Sequence, residues 1–568
     1  MSDETREDNQ LKIGVSAQLV RFIAGFSCSK FAREYQASRV GQRLPIWLFM
    51  LLCVALFLRS FALDWKPPHF DEGINGHFVH EMWRVGYYKY DPTNFHGPLY
   101  FYFLQMIQLL FGDGIVAARF GTGLLSVAIV FVIAQLRQFV GRAAVWAAVI
   151  VTFSAGFVFY ARYSIHESMF ILLQVIFVYG YYLWQEQRSR FAFTLMTIGI
   201  FGAFATKETF FIFFVTWAIA LSMSRIDRFF PIQAEELKAE ELKAEEPKAR
   251  SQSPAEREDQ IAIVLVVSMA TLMLFTGFFM NDDGLVDMFR AYGFWTRTGV
   301  TGTGHEKFFG YWITLLWKYE WPLLIALGLT PLVFFRGAKN ERQWALVAFG
   351  TWLAYSLIPY KTPWCVLDIL WPLAMVVGFL IERGPRKVVG SILIAATLVS
   401  GVAMLRVNFK TYDTPSEPYV YVQSSEEFKA VMDLIYNERN RVPESLNMRV
   451  MVLNRDSWPM PWIFQDYPHL EYGKIDAVDP VGADVILFDA QDRPKLEAKL
   501  TGKYWAMPFQ IRDSYEKGFA FLNFERFQNV VPAGSATYDH PSLPIPKIEK
   551  AIKTIKTIKT IKTIKRGG

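Results

Sequence analysis

Asp71-Glu72 is the first place in this 568-residue chain where two proton-transferring side chains sit in a setting that makes them costly. The pair follows the first long apolar run, in Phe-Asp-Glu-Gly-Ile-Asn-Gly-His-Phe-Val-His-Glu, Phe70 to Glu81. Charge beside a membrane-crossing helix is expensive to desolvate and marks a candidate site. A carboxylate in hydrogen-bond reach of a hydroxyl can act as general base; the alternative is a carboxylate capping a surface helix. Three further groups could join it. His96 opens His96-Gly97-Pro98-Leu99-Tyr100, where it is either a metal ligand or an interfacial histidine at a turn. Arg162, His166 and Glu167 share one short segment; Arg162 could bind a phosphate or pair with Glu167, and Glu167 could help hold a divalent cation. Lys361, between Pro359 and Pro363, is either an anion-binding cation or a snorkelling lysine. Five of the eight histidines fall between His69 and His166, a concentration that suits metal binding or proton transfer. His77 and His80 lie one helical turn apart but form no recognised ligand motif. His305-Glu306 and Glu320 flank a later short apolar stretch and are weaker candidates.

These residues need a scaffold, and composition says which. The chain is 52% hydrophobic and 16% aromatic, too apolar for an ordinary soluble protein of this length. Apolar runs of spanning length recur from Leu44 to Leu405, so most of the chain is a membrane bundle. The net charge of +6 comes from basic residues at segment ends, which excludes a nucleic-acid partner as its explanation. Cys28, Cys53 and Cys365 are too scattered for a disulfide framework or a metal motif. There is no phosphate-binding glycine loop, zinc signature or Ser/His/Asp elbow.

Charge sets the expected topology. Residues 1–43 carry five basic residues from Arg21 to Arg43 and are placed in the cytoplasm as a leader, with 17–35 either an amphipathic surface helix or disordered. The first run starts too late for a usual cleaved signal peptide and reads as a retained anchor. The run 44–63 then crosses outward and leaves Asp71-Glu72 outside. Residues 98–111 are too short to span and are expected to lie in the outer face. About eleven crossings follow from this choice: 44–63, 115–136, 143–161, 168–184, 191–205, 209–223, 261–280, 320–335, 343–358, 364–381 and 388–405. A charged, low-complexity cytoplasmic linker occupies 225–259, a long outer loop 281–307, and a second surface helix 308–319. Every strongly basic loop then faces the cytoplasm, and Asp71, His96, Arg162, His166, Glu167 and Lys361 all face outward.

Residues 406–545 have a soluble composition. Glu426 to Arg439 reads as an amphipathic helix, and Met448 to Leu453 and Asp484 to Phe488 as buried strands. The expected architecture is an all-α polytopic membrane domain over 44–405, with juxtamembrane helices on its outer face, and a C-terminal α/β soluble domain outside the membrane. Residues 546–568 form a low-complexity Lys-Thr-Ile tail.

With Asp71-Glu72, the His96-Gly97-Pro98-Leu99-Tyr100 run and Pro359-Tyr360-Lys361-Thr362-Pro363-Trp364-Cys365 placed on one face, the chain resembles the GT-C glycosyltransferases of the protein O-mannosyltransferase and lipid A aminoarabinose transferase type. Within them it is similar to the prokaryotic flippase-activity-associated subgroup related to archaeal N-glycosylation proteins. The resemblance covers about 44–405, is strongest over 70–167 and 359–373, and is weak in the C-terminal domain. It implies a multi-pass protein of the cell membrane that moves a sugar, with inversion, from a polyprenyl-phosphate-linked donor to a protein, lipid or glycan acceptor at the outer face. It implies Asp71 as base, Glu72 positioning acceptor or metal, Lys361 and Arg162 on the donor phosphate, and His96, His166 and Glu167 as acceptor or metal contacts. A divalent metal ion is the one cofactor such a site would take. The rival reading is a lipid-linked oligosaccharide flippase or its accessory. A transporter should show paired repeats and midplane charges, and the sequence shows neither.

Overall fold

The computed structural model describes Glu34 and residues 44–224, 253–300, 305–383, 386–512 and 517–539. The leader apart from Glu34, most of the 225–259 linker and the Lys-Thr-Ile tail lie outside the described residues, as does the surface helix considered for 17–35. Two compact units are present. Of the described residues, one unit takes in those within 1–61, 85–113 and 117–410, and the other those within 62–84, 114–116 and 411–568.

Helices build the first unit; each expected crossing falls on one, except 143–161, which falls on two. Among the described residues, five are long and apolar enough to span by length and composition: Ile115–Val140, Glu167–Gln187, Pro254–Phe275, Pro363–Arg383 and Ser391–Phe409. A bent pair, Arg142–Phe153 with Ala155–Ala161, makes a sixth when taken as one span. The linker ends earlier than composition suggests. Ser253 and Glu256 form a reciprocal capping box with Pro254 in the first turn, so the helix begins there and carries its charged first turns. The stretch expected as a long loop from 281 is also largely helical, over Gly284–Val300. Its buried Met288 and Ala291 repeat at helical spacing, a pattern hidden by low overall hydropathy. Leu99–Phe111 and Tyr311–Tyr319 are short helices, as expected.

The break between Arg142–Phe153 and Ala155–Ala161 is a 58° bend, where the sequence suggests one straight crossing. Ser154 is extended at the break (φ −61°, ψ 130°), and its hydroxyl accepts from Phe157 N–H. A break exposes carbonyls on one side and N–H groups on the other, and in an apolar surround both must be satisfied. Arg59, fully buried, donates to the carbonyls of Val151 (3.0 Å) and Thr152 (3.3 Å), and its Nε donates to Ser126 Oγ. Glu320 accepts from Gly156 N–H (2.9 Å) and the Ser154 hydroxyl (2.7 Å). A cation therefore sits at the carbonyl end of one half-helix and a carboxylate at the amide end of the next, the sense each helix dipole favours.

The second unit holds a six-stranded sheet, β1 (Arg449–Val452), β2 (His469–Tyr472), β3 (Val485–Asp489), β4 (Lys503–Gln510), β5 (Lys517–Asn523) and β6 (Thr537–Asp539). The order is β2-β1-β3-β5-β4-β6; β1 pairs in parallel with β2 and β3, and the other pairings are antiparallel. Val450, Val452, Val485 and Leu487 bury one face under the helix Glu426–Arg441, through Phe428, Val431 and Ile435. Met451, Ile486 and Phe488 bury the other face against Leu496 and Leu500. Burial on both faces is why these strands read as unbroken apolar runs. Residues 62–84, drawn from between two membrane helices, fold with this unit.

Removing the Arg59 guanidinium strands the two carbonyls at the break. Arg59→Leu is expected to cost about 1–3 kcal/mol for each group left without a donor. Unfolding in detergent measures this, and an unchanged midpoint would contradict this account of the break.

Candidate functional site

The break aims the segment Arg162 to Glu167 toward the start of helix Glu167–Gln187. A second segment meets it. Gly97 N–H donates to the Thr206 carbonyl (3.1 Å) and Leu99 N–H to that of Ala205 (2.9 Å), which docks the His96 turn on the turn after Phe204. A Cβ at Gly97 would lie 2.2 Å from the Ala205 carbonyl carbon and oxygen, so only glycine permits this approach.

Six ionisable side chains gather there. Glu167 Oε1 lies 2.6 Å from Lys207 Nζ, and both are buried. Lys207 also donates to Cys365 Sγ at 3.4 Å. His96 Nδ1 lies 2.9 Å from Glu208 Oε2. The buried His166 ring packs 4.6 Å from His96 and 4.5 Å from Tyr100, whose hydroxyl meets Ser164 Oγ (3.0 Å) and Thr122 Oγ1 (2.8 Å). Among the described residues His166 Nε2 has no hydrogen-bond partner.

Electrostatics separate the two histidines. Burial alone would lower the His96 pKa, but the Glu208 carboxylate outweighs it and holds the imidazole above its usual value. Burial pushes Glu208 upward, yet His96 and Lys207 more than offset this and hold it below the usual carboxylate value. His166 is driven well below its usual value by burial, reinforced by the charges of His96 and Lys207, and is neutral at pH 7.

The structure thus brings together His96, His166 and Glu167 of the expected residues, and adds Lys207, Glu208 and Cys365. The Lys207-Glu208 signal was available: a charged dipeptide interrupts the apolar runs 191–205 and 209–223. A divalent cation fits this cluster poorly. Among the described residues no three His, Cys, Asp or Glu side chains come together to hold a metal ion, and a lysine ammonium already occupies Glu167.

Other expected residues lie elsewhere. Arg162 does not pair with Glu167; it donates to the carbonyls of Leu58 (3.4 Å) and Phe61 at the end of helix Ile46–Ser60, and lies 4.7 Å from the Phe409 ring centroid. Lys361 is buried and its ammonium meets the carbonyls of Lys307 (3.3 Å) and Ile358; burial lowers its pKa. Its backbone N–H donates to His305, in a short antiparallel bridge between Glu306 and Tyr360. Asp71 and Glu72 belong to the second unit, in the first turn of helix Phe70–Val85. Glu72 is fully buried and its Oε2 accepts from His69 N–H at 2.9 Å, closing the turn that carries Asp71.

Residues 94–238, which include His96, Arg162, His166, Glu167, Lys207 and Glu208, match the family described as dolichyl-phosphate-mannose-protein mannosyltransferase. No curated protein sequence matches significantly. Among solved structures, ArnT from Cupriavidus metallidurans bound to undecaprenyl phosphate superposes with a TM-score of 0.57 at 12% identity, over 84% of this chain and 98% of ArnT. The apo state of the same protein gives 0.55 at 11% identity, over 84% and 97%. The fold is therefore the multi-pass GT-C fold of ArnT with a C-terminal α/β unit, and both comparisons are to GT-C glycosyltransferases of the group that the motifs resemble.

Two outcomes follow from the cluster. A raised histidine pKa contributes stability that is complete below the unfolded value, near 6.5, and lost as pH rises through the raised value. A lowered glutamate pKa contributes stability present above its unfolded value, near 4.5, and lost as pH falls through the lowered one. The His96–Glu208 coupling, from His96→Gln, Glu208→Gln and the double variant, is expected at about 1.5–3 kcal/mol between these values. It should fade as pH climbs past neutrality, and a pH-independent coupling would contradict the ion pair. Lys207→Ala alone leaves the Glu167 carboxylate buried and uncompensated, an expected loss of about 3–5 kcal/mol in detergent unfolding. Lys207→Ala/Glu167→Ala should lose less.

Proposed function

We propose that this protein is a membrane glycosyltransferase that moves a sugar from a polyprenyl-phosphate-linked donor to a protein, lipid or glycan acceptor at the outer membrane face. The observation that carries this reading is the mannosyltransferase family match over 94–238, on a chain whose fold is that of ArnT along nearly all of ArnT's length. The N-terminus is assigned to the cytoplasm and the C-terminal domain to the outside, from the distribution of basic loops.

The chemistry follows from residue types. Direct displacement at the anomeric carbon needs an acceptor stripped of its proton and a leaving phosphate relieved of its developing charge. Asp71, partly exposed in the first turn of its helix, is assigned as base; Glu72 holds that turn. Lys361 is assigned to the phosphate, because its ammonium meets only carbonyl oxygens among the described residues and a cation there stabilises the leaving group. Arg162, already bound to two helix-end carbonyls, takes a supporting place. One displacement gives inverted stereochemistry.

Membranes carrying Asp71→Asn, supplied with labelled polyprenyl-phosphate sugars, test the base. Transfer is expected to fall by roughly 10²–10⁴-fold. Full transfer would remove Asp71 from the chemistry, and full complementation in cells would favour a flippase role. Lys361→Ala should raise the donor concentration required more than the acceptor concentration; equal effects on both would count against the phosphate assignment.

A further inference from the structure

Helix Phe70–Val85 is anchored, within the second unit, by residues more than three hundred positions away. His69 immediately precedes the helix, and its buried ring makes two bonds. Asp71 N–H donates to Nδ1 (3.1 Å), and Nε2 bonds the Tyr421 carbonyl (2.7 Å), 352 residues away. The ring therefore accepts at Nδ1 and donates at Nε2, a single neutral tautomer. Beside it His69 bridges to Gln423, whose amide donates to the Pro67 carbonyl at 2.6 Å. Two residues on, Ser425 N–H donates to the Ile511 carbonyl, tying this segment to the end of β4.

The body of the helix is held by shape. Phe70, Gly73 and His77, at i, i+3 and i+7, share one face. That face meets residues 458–462: the Trp458 ring lies 6.3 Å from Phe70 and 5.6 Å from His77. A Cβ on Gly73 would stand 2.5 Å from Pro459 Cβ, and one on Gly76 2.2 Å from Trp462 Cε2. Side chains at these positions would drive the surfaces apart, so the two glycines set the approach. Arg512 ion-pairs with Asp456, whose Oδ1 accepts from Trp458 N–H, and lies 4.6 Å from the Phe70 ring centroid.

We propose that the C-terminal domain is a positioning element for the acidic pair, with His69, Trp458 and Trp462 as positioning residues that fix the backbone carrying Asp71. The soluble domain thereby enters the reaction through the backbone that carries Asp71. This rests on the assignment of Asp71 as base.

The test is a pair of variants in the full-length protein. Gly76→Leu, which forces the helix off Trp462, is expected to lower kcat on the order of 100-fold, because small misplacement of a reacting group costs that much. The donor KM should stay within a factor of about two, since donor contacts are untouched. Gly76→Leu/Trp462→Ala, which reopens the space, should recover most of the loss. Wild-type kcat in Gly76→Leu, a donor KM rising in step with the loss, or a double variant no better than the single would overturn the proposal. Should Gly76→Leu not accumulate in membranes, His69→Ala, which adds no volume, decides in its place: a lowered kcat at constant donor KM supports the proposal and wild-type kcat overturns it. Asp71→Asn separates the two assignments. Full transfer in that variant removes the base itself, whereas an inactive Asp71→Asn beside an unaffected Gly76→Leu removes only the positioning role.

Discussion

The break at Ser154 is the constraint on which the first unit's geometry depends. In an apolar surround an interrupted helix leaves carbonyls and amides that water cannot reach, and each costs more than a hydrogen bond normally returns. Arg59 and Glu320 answer both ends, from helices remote in sequence. Without them the break would leave these groups unpaired in an apolar surround. Arg59 does more than satisfy groups, because its guanidinium also reaches Ser126 Oγ and so ties the break to helix Ile115–Val140. Arg162 repeats the device at the next helix end, where it takes the carbonyls of Leu58 and Phe61.

A second rule governs the charges downstream. Buried ions survive only when paired, and the cluster around His96 obeys this with two pairs of alternating sign. Lys207 stands where the resemblance leads one to look for a cation of another kind. An ammonium on a four-carbon stem needs no coordination sphere of several carboxylates, so one lysine is enough to pair Glu167. Neutral His166 completes the cluster: with a lysine and a raised histidine close by, a third positive charge would be opposed by both.

Much of this was legible in the chain. Apolar runs marked the helices, and the Ser253–Glu256 spacing was a readable start signal that charge content masked. The buried strands β1 and β3 stood out because burial on both faces leaves no alternation to obscure them. The bend at Ser154 did not show, since no proline marks it and its cause lies in Arg59 and Glu320, far away in sequence. His96, Arg162, Glu167 and Lys361 were all readable as costly charges, but a cost says only that a partner exists, not which one. Glu167 chose Lys207 over the nearer Arg162, a choice made by packing.

The same limit explains why Asp71-Glu72 is found with the soluble unit. On the proposed assignment of Asp71 as base, its carboxylate must keep enough solvation to stay charged yet be held firmly enough to point one way. Membrane helices offer rigidity but few free polar groups, because their backbone bonds are internally consumed. The end of a sheet domain has carbonyls and amides left over: the Tyr421 carbonyl fixes His69, whose ring in turn orders the Asp71 amide. Glu72, buried on the His69 amide, gives up its freedom to close that turn, while Asp71 keeps partial exposure. Two adjacent acids of like chemistry thus part ways by one helical position, which buries one of them and leaves the other partly exposed.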